Sequence, residues 1–228
     1  MTIYLSEVFG PTVQGEGPSA GRRCGFVRLY GCNLDCVWCD TPYTWDETRF
    51  DPAIERHTQQ VEDVAAKVAA MGVGMVVITG GEPLLQRDAL VDLIQRLDAD
   101  VEIETNGTVP PGPVGDTDAS YNVSPKLAHA QTTANPIRPV ALTQFSALAR
   151  DGRAYFKFVA SGPDDLNEIA GLVDEFQIPP DRVYVMPEGQ DGATIAERLQ
   201  RIAAGTIEFG FNLTSRLHVT VWGDERGR

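Results

Sequence analysis

The chain lacks a long hydrophobic run. Its longest apolar stretch, residues 73–79, is strand-sized, far below the roughly 20 residues a membrane-spanning helix needs. No membrane association is expected. The opening MTIYLSEVFG has neither a basic n-region nor an apolar signal core, so a cytoplasmic location is expected. Basic charge is scarce: 19 Lys and Arg stand against 32 Asp and Glu, a formal net charge of −13. Such a surface repels phosphate backbones. It disfavours direct nucleic-acid binding and favours a small-molecule substrate. Cysteine is scarce too, with four in the chain and three of them within eight residues. A secreted disulfide framework would spread them out, whereas clustering points to a metal or redox centre.

What is present reads as one α/β domain over residues 1–228, long enough for a substantial core. β-Branched runs predict strands over 25–30, 75–79, 101–105, 121–124, 155–159 and 183–186, with a seventh over 217–221. Between them, Val61, Val64, Ala65 and Val68 recur at helical spacing before Gly72. Leu90, Leu93, Ile94 and Leu97 give a second apolar face. Asp164 is the expected N-cap of a third helix, with Leu166, Ile169, Leu172, Val173 and Phe176 facing inward. Residues 193–204 suggest a fourth. Alternating strands and helices predict a mostly parallel sheet. About six units are too few for a complete eight-fold barrel, so an open, partial (β/α)6-type barrel is expected. Residues 41–60 and 107–119 read as loops.

In parallel β/α architectures, functional groups gather at the C-terminal ends of strands. The unusual residues of this chain fall there: the cysteine loop, Gly80-Gly81-Glu82-Pro83, Asn106-Gly107, Ser124-Pro125-Lys126 and Met186-Pro187-Glu188-Gly189. The loop itself spaces Cys32, Cys36 and Cys39 as C-x3-C-x2-C. Structural zinc usually takes four ligands, often from two distant C-x2-C pairs, and no histidine lies near. Cys24, at the start of a strand, reads as a small core residue. Three thiolates on a 4Fe–4S cluster would leave one iron without a protein ligand.

The CxxxCxxC spacing resembles the hallmark of the radical S-adenosylmethionine superfamily. That resemblance implies that the open iron chelates the methionine end of S-adenosylmethionine, and that the reduced cluster cleaves the sulfonium to a 5′-deoxyadenosyl radical. The chemistry would come from cluster and cofactor rather than from a catalytic side chain. Gly80-Gly81-Glu82-Pro83 is similar to the superfamily's GGEP turn, in which Gly81 allows close approach and the Glu82 carboxylate can accept an ammonium. Trp38 matches an aromatic position whose neighbourhood packs against adenine.

A narrower resemblance is to the 7-carboxy-7-deazaguanine synthase family, of the queuosine-type 7-deazapurine pathways. It rests on Thr12-Val13-Gln14-Gly15-Glu16-Gly17, Arg28, Cys39-Asp40-Thr41, Thr79 with GGEPLLQ, and residues 104–108. It continues through Ser124-Pro125-Lys126, Arg216-Leu217-His218 and Trp222-Gly223-Asp224. The family converts 6-carboxy-5,6,7,8-tetrahydropterin to 7-carboxy-7-deazaguanine with loss of ammonia, and uses Mg²⁺. The resemblance implies substrate contacts from Val13, Gln14, Gly15, Glu16, Arg28, Thr79 and His218. An amide such as Gln14 matches both polarities of a pterin edge, and a guanidinium such as Arg28 fits a carboxylate bidentately.

It further implies S-adenosylmethionine contacts from Trp38, Cys39, Asp40, Gly81, Glu82, Ser124, Pro125, Lys126, Met186, Pro187, Glu188 and Gly189. Thr41 would hold Mg²⁺, an ion that keeps several waters and takes few protein oxygens. Met186 departs from the family's usual Gln and leaves that contact to the backbone. His57 and His129 match nothing and read as surface or loop residues. Residues 107–119 and the C-terminal segment are expected to cover the site. A flavodoxin-type electron donor and a homodimer are implied by resemblance alone. Two rival readings are a glycyl-radical-activating enzyme, which would share the first two motifs, and a non-catalytic iron–sulfur or zinc module.

Overall fold

A computed structural model describes residues 1–223 and 225–228; Asp224 of the last matched motif lies outside the described residues. Along the chain come β1 (Thr2–Val13), β2 (Arg23–Leu29), α1 (Pro52–Glu55), β3 (His57–Gln60), α2 (Val61–Ala70), β4 (Met75–Gly80), α3 (Arg87–Ile94) and β5 (Asp100–Thr105). Then follow β6 (Ser120–Val123), α4 (Pro139–Arg150), β7 (Ala154–Ala160), α5 (Asp165–Phe176), β8 (Val183–Pro187), α6 (Gly192–Glu208), β9 (Asn212–Leu213) and α7 (Leu217–Trp222). The strands form one sheet in the order β3-β1-β2-β4-β5-β6-β7-β8-β9. It is parallel from β2 onward, and antiparallel where β1 meets β2 and β3. The α/β class and the six internal strands agree with expectation.

Strand side chains alternate between two faces, and here the two faces differ in chemistry. One carries Val27, Leu29, Val76, Ile78, Ile103, Val123, Phe156 and Val185, buried against the helices in the main core. The other begins with a small apolar floor of Cys24, Phe26, Met75 and Val77, joined by Phe9. Further along the same strands that face turns polar and lines a cavity with Arg28, Thr79, Glu104 and Lys157. In β1 the register steps from Leu5 opposite Leu29 to Glu7 opposite Arg28, which leaves Ser6 as an extra residue. This bulge reverses the alternation. Ile3 and Leu5 face the helices before it, and Val8 does so after it. Glu7 is thereby brought beside Arg28, its Oε1 accepting from Arg28 Nε at 2.8 Å.

Several elements correct the sequence reading. Residues 217–222 form a helix, not a final strand. The Asp164 side chain caps nothing; Asp165 instead accepts from Ser161 N and Oγ and from Gly162 N. Residues 107–119 are not a cover: their short helical turn, 112–116, lies against α3, and none of them lines the cavity. Residues 225–228 do line it. Among the described residues, no helix is long and apolar enough to cross a membrane.

Candidate active site

The cavity opens at the C-terminal ends of the parallel strands and has a volume of about 760 Å³. Cys32, Cys36 and Cys39 are all on its wall. Peptide and indole N–H groups point at their sulfurs: Leu34 N lies 3.4 Å from Cys32 Sγ and Trp45 Nε1 lies 3.3 Å from Cys39 Sγ. N–H groups aimed at sulfur suit thiolates that ligate a cluster. The loop sits directly on the turn after β4. A Cβ on Gly81 would lie 2.2 Å from the Gly31 carbonyl oxygen and 2.7 Å from Cys32 Cβ, so only glycine lets the two segments meet. Burial pushes the Cys32 thiol up to about 12, and a bound cation would reverse that preference. Among the described residues, no three His, Cys, Asp or Glu side chains converge on a position for a single ion. Structural zinc usually takes four protein ligands, whereas three thiolates suffice for a 4Fe–4S cluster with one open iron. Cys24 is fully buried in the apolar floor, as expected.

Most of the other expected residues share this cavity. Val13 enters from the end of β1 and Gln14, Gly15 and Glu16 from the loop after it, with Arg28, Thr79 and His218 beside them. Trp38, Asp40, Thr41 and Gly81 lie by the cysteines, and Ser124, Lys126, Met186, Glu188 and Gly189 come from later strand ends. Lys126 Nζ donates to Ser124 Oγ at 2.9 Å and sits 5.4 Å from the centre of the Trp38 indole. His129 stacks on Trp38 at 5.6 Å, half-buried in the short turn over 128–130. His57 lies exposed on the edge strand β3.

Three expected contacts are off the wall: Glu82, Pro125 and Pro187. The Glu82 carboxylate is wholly buried and accepts from Leu84 N, Thr105 Oγ1 and Asn106 N at 2.7–2.9 Å. Burial raises this carboxyl to about 7 despite those donors. Gln14 is also committed. Its Nε2 donates to Glu102 at 2.8 Å and Glu104 at 3.1 Å, and its Oε1 accepts from Glu16 N at 3.3 Å. Its amide is spent on the fold and is not free for a ring edge. Arg28 already holds Glu7, so a second carboxylate would share it.

The sequence reading missed the charged network beneath the cavity. Lys157 on β7 pairs with Glu16 and lies 3.9 Å from Glu104 on β5. Arg216 pairs with Glu16 and Asp40. Burial alone would raise the Glu16 carboxyl, but Lys157, Arg216 and His218 outweigh it and hold the group well below the usual carboxylate range. Burial likewise opposes ionisation of Asp40, and Arg216 wins there too. The His218 imidazole is lowered by burial, against the pull of Glu16. The available signal was alternation: Val101-Glu102-Ile103-Glu104 and Phe156-Lys157-Phe158 place charges on every second position of buried strands.

Residues 26–118 match the sequence profile of the Radical SAM superfamily. The 7-carboxy-7-deazaguanine synthase of Pyrobaculum aerophilum is 41% identical, covering 99% of this chain and 97% of its own. That of Hyperthermus butylicus is 37% identical, covering 96% and 92%. Among solved structures, QueE from Escherichia coli superposes with a TM-score of 0.71 at 26% identity, covering 95% of both chains. Streptococcus suis SuiB bound to S-adenosylmethionine shares the fold with a TM-score of 0.58 at 16% identity, over 82% of this chain and 48% of that one. Identity at this level across nearly the whole of both chains shows that this chain belongs to the 7-carboxy-7-deazaguanine synthase family of radical S-adenosylmethionine enzymes.

Proposed function

We propose that the protein converts 6-carboxy-5,6,7,8-tetrahydropterin to 7-carboxy-7-deazaguanine with loss of ammonia, a carbon–nitrogen lyase step of queuosine-type 7-deazapurine biosynthesis. The observation that carries this reading is convergence. Residues 13–16, Arg28 and His218 share one cavity with the three cysteines, in a chain alike end to end to enzymes of that name. Cys32, Cys36 and Cys39 would hold a 4Fe–4S cluster. Bound together, the cluster and S-adenosylmethionine supply electron transfer and hydrogen-atom abstraction.

The chain's own residues do the positioning. Trp38, Asp40, Gly81, Ser124, Lys126, Met186, Glu188 and Gly189 face the adenosyl cofactor. Val13, Gly15, Glu16, Thr79 and His218 face the pterin, with Arg28 on its carboxylate. Gln14 and Glu82 act from behind, the first holding the 14–17 loop and the second the turn at 80–83 and Asn106. Thr41 is the Mg²⁺ residue. Its hydroxyl is 3.8 Å from Cys39 Sγ and Asp40, the competing oxygen ligand, is occupied by Arg216. Residues 225–228 close the cavity and limit access of water. The protein works as one domain in the cytoplasm, as a homodimer served by a flavodoxin-type donor, without touching nucleic acid.

The test is anaerobic reconstitution with iron and sulfide, then incubation with the carboxypterin, S-adenosylmethionine, Mg²⁺ and dithionite. Mass detection of 7-carboxy-7-deazaguanine is the expected result. Reductive cleavage of S-adenosylmethionine without that product would sink the substrate assignment. No cleavage at all would sink the enzyme class.

A further inference from the structure

The cavity walls come from segments far apart in the chain, and one side chain joins them. Arg216, just before α7, is buried, with 8% of its side chain exposed. Its Nε donates to Glu16 Oε1 at 2.9 Å, its Nη1 to the Gly189 carbonyl at 2.6 Å, and its Nη2 to Asp40 Oδ2. The next residue adds a backbone tie, Leu217 N to the Gly15 carbonyl at 2.8 Å. Glu16 belongs to the loop assigned above to the pterin. Asp40 and Gly189 belong to segments assigned to S-adenosylmethionine. A guanidinium is rigid and planar and serves three acceptors in fixed directions. An ammonium on a flexible stem cannot hold all three in that geometry.

We propose that Arg216 is a positioning residue that couples the two halves of the site, so that S-adenosylmethionine and pterin each tighten binding of the other. The inference rests on the assignment of the two halves given under the proposed function. Ordering Asp40 and Gly189 around the first ligand fixes the guanidinium, which fixes Glu16 for the second. Coupling of this kind is reciprocal by thermodynamic necessity.

The test is calorimetric titration of S-adenosylmethionine into reconstituted, unreduced protein, with and without the carboxypterin. In the wild type the pterin tightens S-adenosylmethionine binding by about fivefold or more. Arg216→Lys keeps the charge. It lowers that factor below about twofold, whatever the affinity for S-adenosylmethionine in the absence of pterin. A second measurement needs no variant: S-adenosylmethionine alone slows amide exchange at residues 14–17 as well as at 38–41. A wild type without coupling overturns the proposal. So does an Arg216→Lys protein that loses affinity for both ligands yet keeps the factor, or unchanged exchange at 14–17. Failure of the wild type to bind or cleave S-adenosylmethionine, or to form product from the pterin, overturns the functional reading instead.

Discussion

Glu82 is a carboxyl kept wholly from water, with no cation bonded to it among the described residues. Its raised folded-state value, about 7 against an ordinary 4.5, has a definite sign. The neutral form's advantage is fully present below pH 4.5 and is lost as pH rises through about 7, on the order of 3 kcal/mol. The difference in unfolding free energy between cluster-free wild type and Glu82→Gln should therefore shift against the wild type between pH 5 and 8. Denaturant titrations at several pH values check this, and a flat difference would contradict it. The cysteines make a sharper contrast. Alanine at Cys32, Cys36 or Cys39 should each abolish bound iron after reconstitution, whereas Cys24→Ala should retain it and lose only about 1 kcal/mol of stability. Iron and sulfide assays decide. The cysteine spacing was legible because its ligands are local in sequence. The partners of Gln14 were not, because Glu102 and Glu104 lie 88 and 90 residues away.

At the level of elements, the loop over 14–17 and α7 are in contact at a glycine. A Cβ on Gly15 would lie 1.9 Å from His218 Nδ1 and 2.7 Å from Cγ of the same ring. Gly15→Ala should displace α7, cutting product formation more than about tenfold and costing about 1–3 kcal/mol of stability. Adding His218→Ala should restore the melting temperature without restoring turnover. Wild-type melting and turnover in the single variant would contradict this contact. The sequence pattern of α7 misleads for a physical reason: Leu217, Val219 and Val221 alternate like a strand, yet only Val219 is buried, and docking of the segment on Gly15 decides the helix. The internal strands were legible from their β-branched runs. Neither β1, with its alternation broken at Ser6, nor β3 and β9, with four and two residues, offers such a pattern.

Over the whole molecule, the two ends of the chain meet across the cavity mouth. Arg226 stacks on Tyr43 at 3.9 Å and pairs with Glu55 at 2.9 Å and Glu7 at 3.2 Å. Glu7 in turn holds Arg28. Arg226→Ala should raise KM for the pterin by about threefold to tenfold, with S-adenosylmethionine affinity unchanged. Steady-state kinetics with each substrate varied check it; an equal loss for both would mean a general loosening. On this side of the sheet, Glu7 and Phe9 keep their places because a bulge takes up the surplus Ser6 in β1. Drawing Ser6 into a regular ladder would swap the wet and dry surfaces of the strand beyond it, sending Glu7 and Phe9 toward the helices and Val8 into the chamber, whereas losing its codon would leave Leu5, Glu7 and Val8 opposite Leu29, Arg28 and Val27 in one unbroken register. The first strand can therefore shorten by one at Ser6 and keep each surface, and natural length variants should fall there rather than elsewhere between Ile3 and Phe9.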